Sequence, residues 1–305
     1  MRTSTMQSKI LVASEYGQSH VLEFIERTLP ALAEGMARIE VKAAGINPID
    51  ARRMTGEFKH ADLPQSFGTE YAGVIVEINT TQPHWKVGDA VLGSGYGFTH
   101  ATVIDVPIAN LVHKPENLDW LTAGSLAGAA QTAMTILDEI GPTQSLLIHG
   151  ASGGVGSITV QLAKERGINV VATASEKNQN YLAKLGATPV VYGAGLTERL
   201  KAIHPTPFDA SIDMSGNEDA TQASLASVKK GGFMGTIAGR KLSSASIHAV
   251  WVKRNLHNLQ YVVDRVANGS FLWEVSRSYP FEQATQAYDD ILNGHTRGKS
   301  VLTFD

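Results

Sequence analysis

The sequence predicts a two-domain α/β protein, a doubly wound parallel sheet preceded by a β-rich unit. Three observations carry this. Residues up to about 115 contain short alternating stretches broken by Gly and Pro, the pattern of an all-β, barrel-like unit. From residue 145 onward, short apolar runs alternate with helical stretches, as in a parallel sheet covered on both faces. Where the first of these runs meets its helix, SLLIHGASGGVGS (145–157) carries glycines at Gly150, Gly153, Gly154 and Gly156.

The elements follow in order. Residues 36–43 (MARIEVKA) alternate apolar and polar side chains, which suits a half-buried strand. A second strand runs over 71–78, and a turn at Gly88-Asp89 precedes a third within 86–93. Short strands at 102–106 and 111–113 flank a break at Pro107. Residues 118–140 are helical in composition. Their charge-free part, 120–137, is rich in Ala, Gly, Ser and Thr and holds Gln131. It reads as a buried helix, because a membrane span needs about 20 strongly apolar residues. Strands are expected at 145–149, 168–174, 189–192, 208–213 and 232–238, with helices at 154–166, 177–185, 196–203 and 218–229. The first of these helices puts Val155, Ile158, Leu162 and Ala163 on one face. Residues 255–268 add a strand, at 256–260, and a helix; a further helix spans 282–293 and a closing strand 300–304.

Composition narrows the function. The chain has 305 residues, enough for two domains with buried cores. Net charge is −3 and no basic run exists, so nothing indicates a nucleic-acid partner. There are no cysteines, which excludes disulfides, thiolate catalysis and any Cys-based zinc site, and suits a reducing cytoplasm. The N-terminal segment lacks the long apolar run of a signal peptide, and no membrane association is expected.

The glycine turn has a physical logic. Glycine lets backbone N–H groups approach a ligand closely, and the following helix start offers unpaired donors and a positive dipole end to a pyrophosphate. The strand before and the helix after are the context a dinucleotide site requires; a plain βα turn is the alternative. The second strand of the sheet closes with Ala174-Ser175, not with the acid that would bind a ribose 2′-hydroxyl. Ser175 with Lys177 suits a 2′-phosphate and favours NADPH, although Glu176 opposes an anion. The alternative is that Glu176 and Lys177 are solvated residues of the next helix.

Several segments are shared with a known family: VKAAGINPID (41–50), FGTEYAGVIVEI (67–78), KVGDAVLG (86–93), HGASGGVGS (149–157), FDASIDMSG (208–216), GGFMGTIAG (231–239), YPFEQATQAY (279–288) and GKSVLTFD (298–305). The chain resembles the zinc-independent quinone oxidoreductases of the medium-chain dehydrogenase/reductase superfamily, the ζ-crystallin-like branch. The resemblance implies a GroES-like β-barrel catalytic domain over 1–117 and 279–305, a Rossmann dinucleotide-binding domain over 118–278, and a substrate cleft between them. It implies NADPH as cofactor and no metal. Zinc-dependent relatives place Cys and His where this chain has Asn47 and Thr69, neither of which suits zinc, and Glu70 alone makes no site.

With no Lewis acid, the resemblance assigns Asn47 as the catalytic residue that holds the reactants in geometry, its amide donating to a substrate carbonyl or fixing the nicotinamide; a turn residue before Pro48 is the other reading. It places Thr132 beside the nicotinamide, Gly153, Gly154 and Val155 around the pyrophosphate, and Tyr192 against the adenosine phosphate. Ser215 and Ile237 follow the next two strands at the ligand-binding edge. Each has a bland counterpart in packing or turn formation. Phe58 stands where related enoyl-thioester reductases carry a tyrosine acid, and Arg52 where the family often has another Tyr. Arg52 and Arg53 are read as surface charges, with binding of an acidic substrate as the alternative; Tyr71 and Tyr96 are candidate cleft residues, with core packing the favoured reading for Tyr71.

The implied reaction is hydride transfer from NADPH to a quinone or similar small electrophile. An alkenal or enone reductase is the alternative enzyme, and an NADPH-binding structural or regulatory protein without turnover is the alternative of another class. Family members pair as homodimers through a sheet edge; the region 240–278 is shortened here, which weakens that expectation.

Overall fold

The computed structural model describes residues 6–59, 61–81, 84–238, 244–294 and 296–305. In chain order the elements are β1 (Gln7–Ala13), β2 (Leu22–Thr28), β3 (Met36–Ile46), α1 (Pro48–Thr55), β4 (Gln65–Ser66), β5 (Glu70–Asn79), β6 (Ala90–Ser94), β7 (Val103–Pro107), β8 (Val112–His113) and α2 (Trp120–Ile140). Then follow β9 (Ser145–His149), α3 (Gly154–Glu165), β10 (Asn169–Ala174), α4 (Gln179–Leu185), β11 (Thr188–Val191), α5 (Leu196–Ile203), β12 (Phe208–Asp213), α6 (Glu218–Ser227), β13 (Val228–Thr236), β14 (His248–Ala249), α7 (Leu256–Ala267), β15 (Val275–Pro280), α8 (Ala284–Asn293) and β16 (Lys299–Thr303). They form two compact units. The first comprises residues up to Gly128 with Leu259–Ala267 and Glu274–Asp305; the second comprises Ala129–Asn258 with Asn268–Trp273. The division falls inside α2.

The first unit holds a three-stranded sheet, β2-β1-β4, and a larger one in the order β15-β16-β3-β5-β6-β8, with β7 also paired to β3. β3 runs beyond the alternating stretch because Ala44, Gly45 and Ile46 pair antiparallel with β16, Ser300 opposite Ile46. The core packs Met54, Phe67, Tyr71, Ile75, Phe281 and Tyr288. Full burial of each such side chain contributes about 1.5–3 kcal/mol. Tyr71 is fully buried, as its apolar strand context predicts. α1 was not anticipated. Pro48 opens it, and Asp50 reaches back to accept from the Asn47 N–H at 2.9 Å, a capping arrangement spelled out by Asn-Pro-Ile-Asp. This helix corrects one expectation: Arg53 is buried, not a surface charge, because it lies on the inner face of α1. Arg52 sits 3.7 Å from Glu57.

α2 explains its own composition. A Cβ on Gly124 would lie 2.5 Å from the Ala43 carbonyl oxygen, so the missing side chain lets the helix press on β3. Among the described residues, no helix is long and apolar enough to cross a membrane.

The second unit is a parallel sheet in the order β11-β10-β9-β12-β13-β14, the doubly wound arrangement expected from the alternating elements. α3 is buried all round from Gly156 to Ala163, beyond the single apolar face the sequence shows. Its polar members are satisfied: Thr159 Oγ1 donates to Val155 O at 2.8 Å, and Gln161 exchanges bonds of 2.8 and 2.6 Å with the Leu272 backbone. The expected strand at 256–260 is instead the start of α7. Leu259, Val262 and Val263 are buried at helical spacing, with no Gly or Pro to interrupt them. The edge strand is β14, which pairs with β13 through Gly235–His248 and Thr236–Ala249.

Candidate active site

In the second unit the strand order reverses between β9 and β12, where open α/β sheets take ligands at the carboxyl edge. After His149 the chain turns at Gly150, φ 70°, a left-handed conformation that favours glycine. The Ala151 N–H donates to the Thr173 carbonyl at 3.0 Å and ties the turn to β10. Gly153 caps α3, and a Cβ there would meet nothing nearer than Gly150 O at 3.9 Å. Gly156 differs: a Cβ would lie 2.6 Å from Ala151 Cα, so its role is close packing of helix on turn. Ser157 N–H bonds Gly153 O at 2.9 Å. The N–H groups of Gly154, Val155 and Gly156 precede it and, as in any helix start, have no intrahelical acceptor. Open space, free donors and a positive helix end together form an anion cradle that fits a dinucleotide pyrophosphate.

The neighbouring loops are organised by two residues the sequence reasoning missed. Asp213 accepts from Ser215 N at 2.8 Å, from Ser215 Oγ at 2.7 Å and from Gly216 N at 3.1 Å, fixing the turn after β12. Asn178 Nδ2 lies 3.2 Å from both Ser152 Oγ and Ser175 Oγ, joining the glycine turn to the end of β10. Ile237 is half-buried and continues from β13, its N–H on Asp213 O at 3.0 Å. Lys177 is exposed, Tyr192 is 43% exposed just past β11, and Thr132 is half-buried on α2. His149 is buried, with Nδ1 3.3 Å from Thr173 Oγ1. Burial lowers its pKa to about 4, against the opposing pull of Asp213.

In the first unit, the sequence assembles a second polar group around Asn47. The antiparallel register that sets Ser300 opposite Ile46 brings Lys299 to Asn47. Lys299 Nζ donates to Asn47 Oδ1 at 2.5 Å and forms a short ion pair with Glu70 Oε1. Asn47 Nδ2 donates to Glu70 Oε1 at 2.9 Å and to Thr69 Oγ1 at 3.1 Å. Glu70 Oε2 accepts from Gly128 N at 2.6 Å. Gly45 makes room, since any Cβ there would run into the Glu70 carboxylate. The segment before Glu70 is held by Asp50, whose Oδ1 accepts from Gly68 N at 3.0 Å. His100 braces the same region: Nε2 donates to Gly45 O at 3.0 Å and Nδ1 accepts from Tyr288 Oη at 2.9 Å. Burial pushes its pKa down and keeps this tautomer neutral.

Comparison with known proteins finds two family models in the chain. Residues 33–136 match the alcohol dehydrogenase GroES-like domain, and residues 154–271 match the zinc-binding dehydrogenase family. A 2-methylene-furan-3-one reductase of Solanum lycopersicum is 32% identical over 95% of this chain and 77% of its own length. The chloroplastic NADPH-dependent alkenal/one oxidoreductase of Arabidopsis thaliana is 28% identical over 97% of this chain and 79% of its own. The solved quinone oxidoreductase of Coxiella burnetii superposes with a TM-score of 0.88 at 28% identity, covering 98% of this chain and all of that one. The chain belongs to the medium-chain dehydrogenase/reductase family. It stands in the quinone oxidoreductase-like branch and is an oxidoreductase of that type.

One of the matched descriptions names zinc, so the donor set of this medium-chain reductase must be tested for it. Asn47 offers an amide already bonded at both ends, Thr69 a hydroxyl, and Glu70 a carboxylate whose charge is met by Lys299. Zinc takes thiolate, imidazole and free carboxylate, and an ammonium in contact with the carboxylate repels a second cation. These residues do not fit zinc. Among the described residues no group of His, Asp and Glu is arranged to hold a metal ion.

Proposed function

We propose that this protein transfers hydride from NADPH to a quinone or similar small electrophile without a metal. The observation that carries the cofactor half is the anion cradle at Gly153, Gly154 and Val155, with open space in front of Gly153 where a side chain would otherwise project. A nicotinamide supplies, when bound, a hydride from its ring carbon. The chain's own residues do the rest. The α3 N-terminus binds the pyrophosphate, Ser175 and Lys177 take the 2′-phosphate, and Tyr192, Ser215 and Ile237 border the remaining cofactor. Thr132 borders the nicotinamide. Asn47 serves by keeping a donor array fixed, which lowers the reorganisation needed as charge develops.

A second reading has its own support. The Solanum lycopersicum and Arabidopsis thaliana relatives are named for enone and alkenal reduction, so an α,β-unsaturated carbonyl is the alternative acceptor. Turnover, not binding alone, is favoured because one chain carries both an ordered polar group and an intact cradle. A cysteine-free chain suits a cytoplasmic site of action, and the partner in this reading is a small-molecule electrophile, without nucleic acid or membrane. The short β14 leaves little edge for a paired homodimer.

The test is oxidation of NADPH and NADH against a panel of quinones and enones. NADPH is expected to be preferred, and Lys177→Ala to narrow that preference about tenfold, the value of one charge-assisted hydrogen bond. A wild-type preference for NADH would overturn the cofactor assignment, and no oxidation with any acceptor would overturn the enzymatic reading.

A further inference from the structure

Among the described residues, Thr69 carries a hydroxyl hydrogen that no side chain or carbonyl takes up. Its oxygen accepts from Asn47 Nδ2, and among the described residues no acceptor for its own O–H is found. The residue is only 8% exposed. A hydroxyl has one hydrogen to donate as well as lone pairs to accept with, and only the accepting capacity of Thr69 is used here, so its O–H is available to a ligand acceptor.

Asn47, by contrast, has nothing left to give. Both Nδ2 hydrogens are directed, one to Glu70 and one to Thr69, and Oδ1 is taken by Lys299. The amide cannot be turned around, because an ammonium only donates and a carboxylate only accepts. The bonds therefore run in one direction: Lys299 to Asn47 Oδ1, Asn47 Nδ2 to Thr69 Oγ1, and Thr69 O–H outward. A cation on the amide oxygen strengthens the amide N–H as a donor, and that donation strengthens the hydroxyl in turn.

We propose that the Thr69 hydroxyl is the donor that holds the carbonyl oxygen of the electrophile, and that Lys299 acts through Asn47 as a positioning and polarising residue. This rests on the carbonyl-reducing function proposed above. As the electrophile's carbon accepts a hydride with its electron pair, its oxygen gains the negative charge and is held by Thr69. The oxygen then takes its proton from solvent, Thr69 keeps its own, and the nicotinamide leaves oxidised. Thr69 is the catalytic residue in this arrangement. Asn47 relays, Glu70 fixes the relay, and Lys299 occupies with its charge the role a metal would otherwise fill.

The test uses Thr69→Val, Thr69→Ser and the charge-neutral double variant Glu70→Gln/Lys299→Met. Two quantities are measured: kcat and KM for NADPH oxidation with 1,4-naphthoquinone, and the carbonyl stretching frequency of cyclohex-2-enone bound to the NADP+ complex. Thr69→Val is expected to lower kcat by on the order of 10²-fold, as loss of one oxyanion donor does, with the KM for NADPH unchanged. The same variant should abolish the downward shift of the carbonyl stretch, and Thr69→Ser should keep both properties near wild type. The double variant should reduce kcat and the shift partially. Unchanged kcat and shift in Thr69→Val would overturn the assignment, as would a loss that Thr69→Ser fails to restore. An unchanged double variant would overturn the role of Lys299. If the wild type reduces no carbonyl at all, the function proposed above fails, while the stretching frequency still reads Thr69. A wild-type complex showing no shift, or no bound enone, overturns the hydroxyl's role.

Discussion

The glycine turn and the Asn47 group both sit at strand ends, yet they are held in opposite ways. The turn is local, built from consecutive residues in which Gly153 leaves space and Gly156 packs closely on Ala151. The Asn47 group draws on β3, β5, α2 and β16, and Lys299 stands 252 positions from Asn47 in the chain. Backbone geometry tolerates exchange of side chains that do not occupy the space. A long-range polar group does not, because each member leaves another unpaired when it is removed. The turn should therefore fail by collision and the Asn47 group by charge.

The largest expected effect tests that contrast. Lys299→Met strands the Glu70 carboxylate in the interior and should cost about 3–5 kcal/mol of stability, the usual consequence of halving a buried ion pair. Adding Glu70→Gln removes the stranded charge and should recover most of that loss. Chemical denaturation of the three proteins without cofactor reads both numbers. A Lys299→Met protein as stable as wild type would mean that water reaches Glu70 and that the group is not held by charge.

The same contrast explains what could be read from the sequence. The parallel sheet and its glycine turn were legible because each βα unit is contiguous and its apolar periodicity is local. Asn47 and Thr69 were reached only through resemblance, and Lys299 was not reached at all. Nothing near GKSVLTFD signals that its lysine meets Asn47; that follows from the pairing of β16 on β3, which is decided by the whole sheet. The α1 helix was a different kind of miss. Asn47-Pro48-Ile49-Asp50 carries a legible start signal, a proline in the first turn and an acid reaching back, but the short segment shows too little apolar periodicity to stand out. The strand expected at 256–260 failed because a short apolar run fits either period, and packing chose the helical one.

A second, smaller effect concerns pH. An unfolded His149 takes up a proton as pH falls through about 6.5, whereas the folded residue, lowered to about 4 by burial, does not. Its contribution is complete above the unfolded value and is lost as pH falls towards 4, by up to roughly 3 kcal/mol. In the first unit, burial shifts His100 in the same direction, so the acid sensitivity is shared between the two units. Urea midpoints measured from pH 7.5 to 5 should fall steadily in the wild type and less steeply in His149→Gln. An equal slope in both proteins would assign the acid sensitivity to the first unit.

The smallest expected change in stability is the most discriminating, because it separates two glycines of one turn. Gly156→Ala forces a methyl against the Ala151 backbone and should destabilise the protein by about 1–3 kcal/mol, since backbone cannot yield as a side chain can. Gly153→Ala meets open space at an ordinary φ of −77°, and its stability should stay within about 0.5 kcal/mol of wild type. Its cost should appear only when the cofactor binds, as a loss of NADPH affinity of roughly ten- to a hundredfold from overpacking against the pyrophosphate. Thermal melts with and without NADPH, beside a fluorescence titration, read the pair. A stable Gly153→Ala protein that binds NADPH as tightly as wild type would mean that the phosphates do not lie in front of Gly153. The cradle would then have to be sought along the loop that Asp213 holds at Ser215 and Gly216.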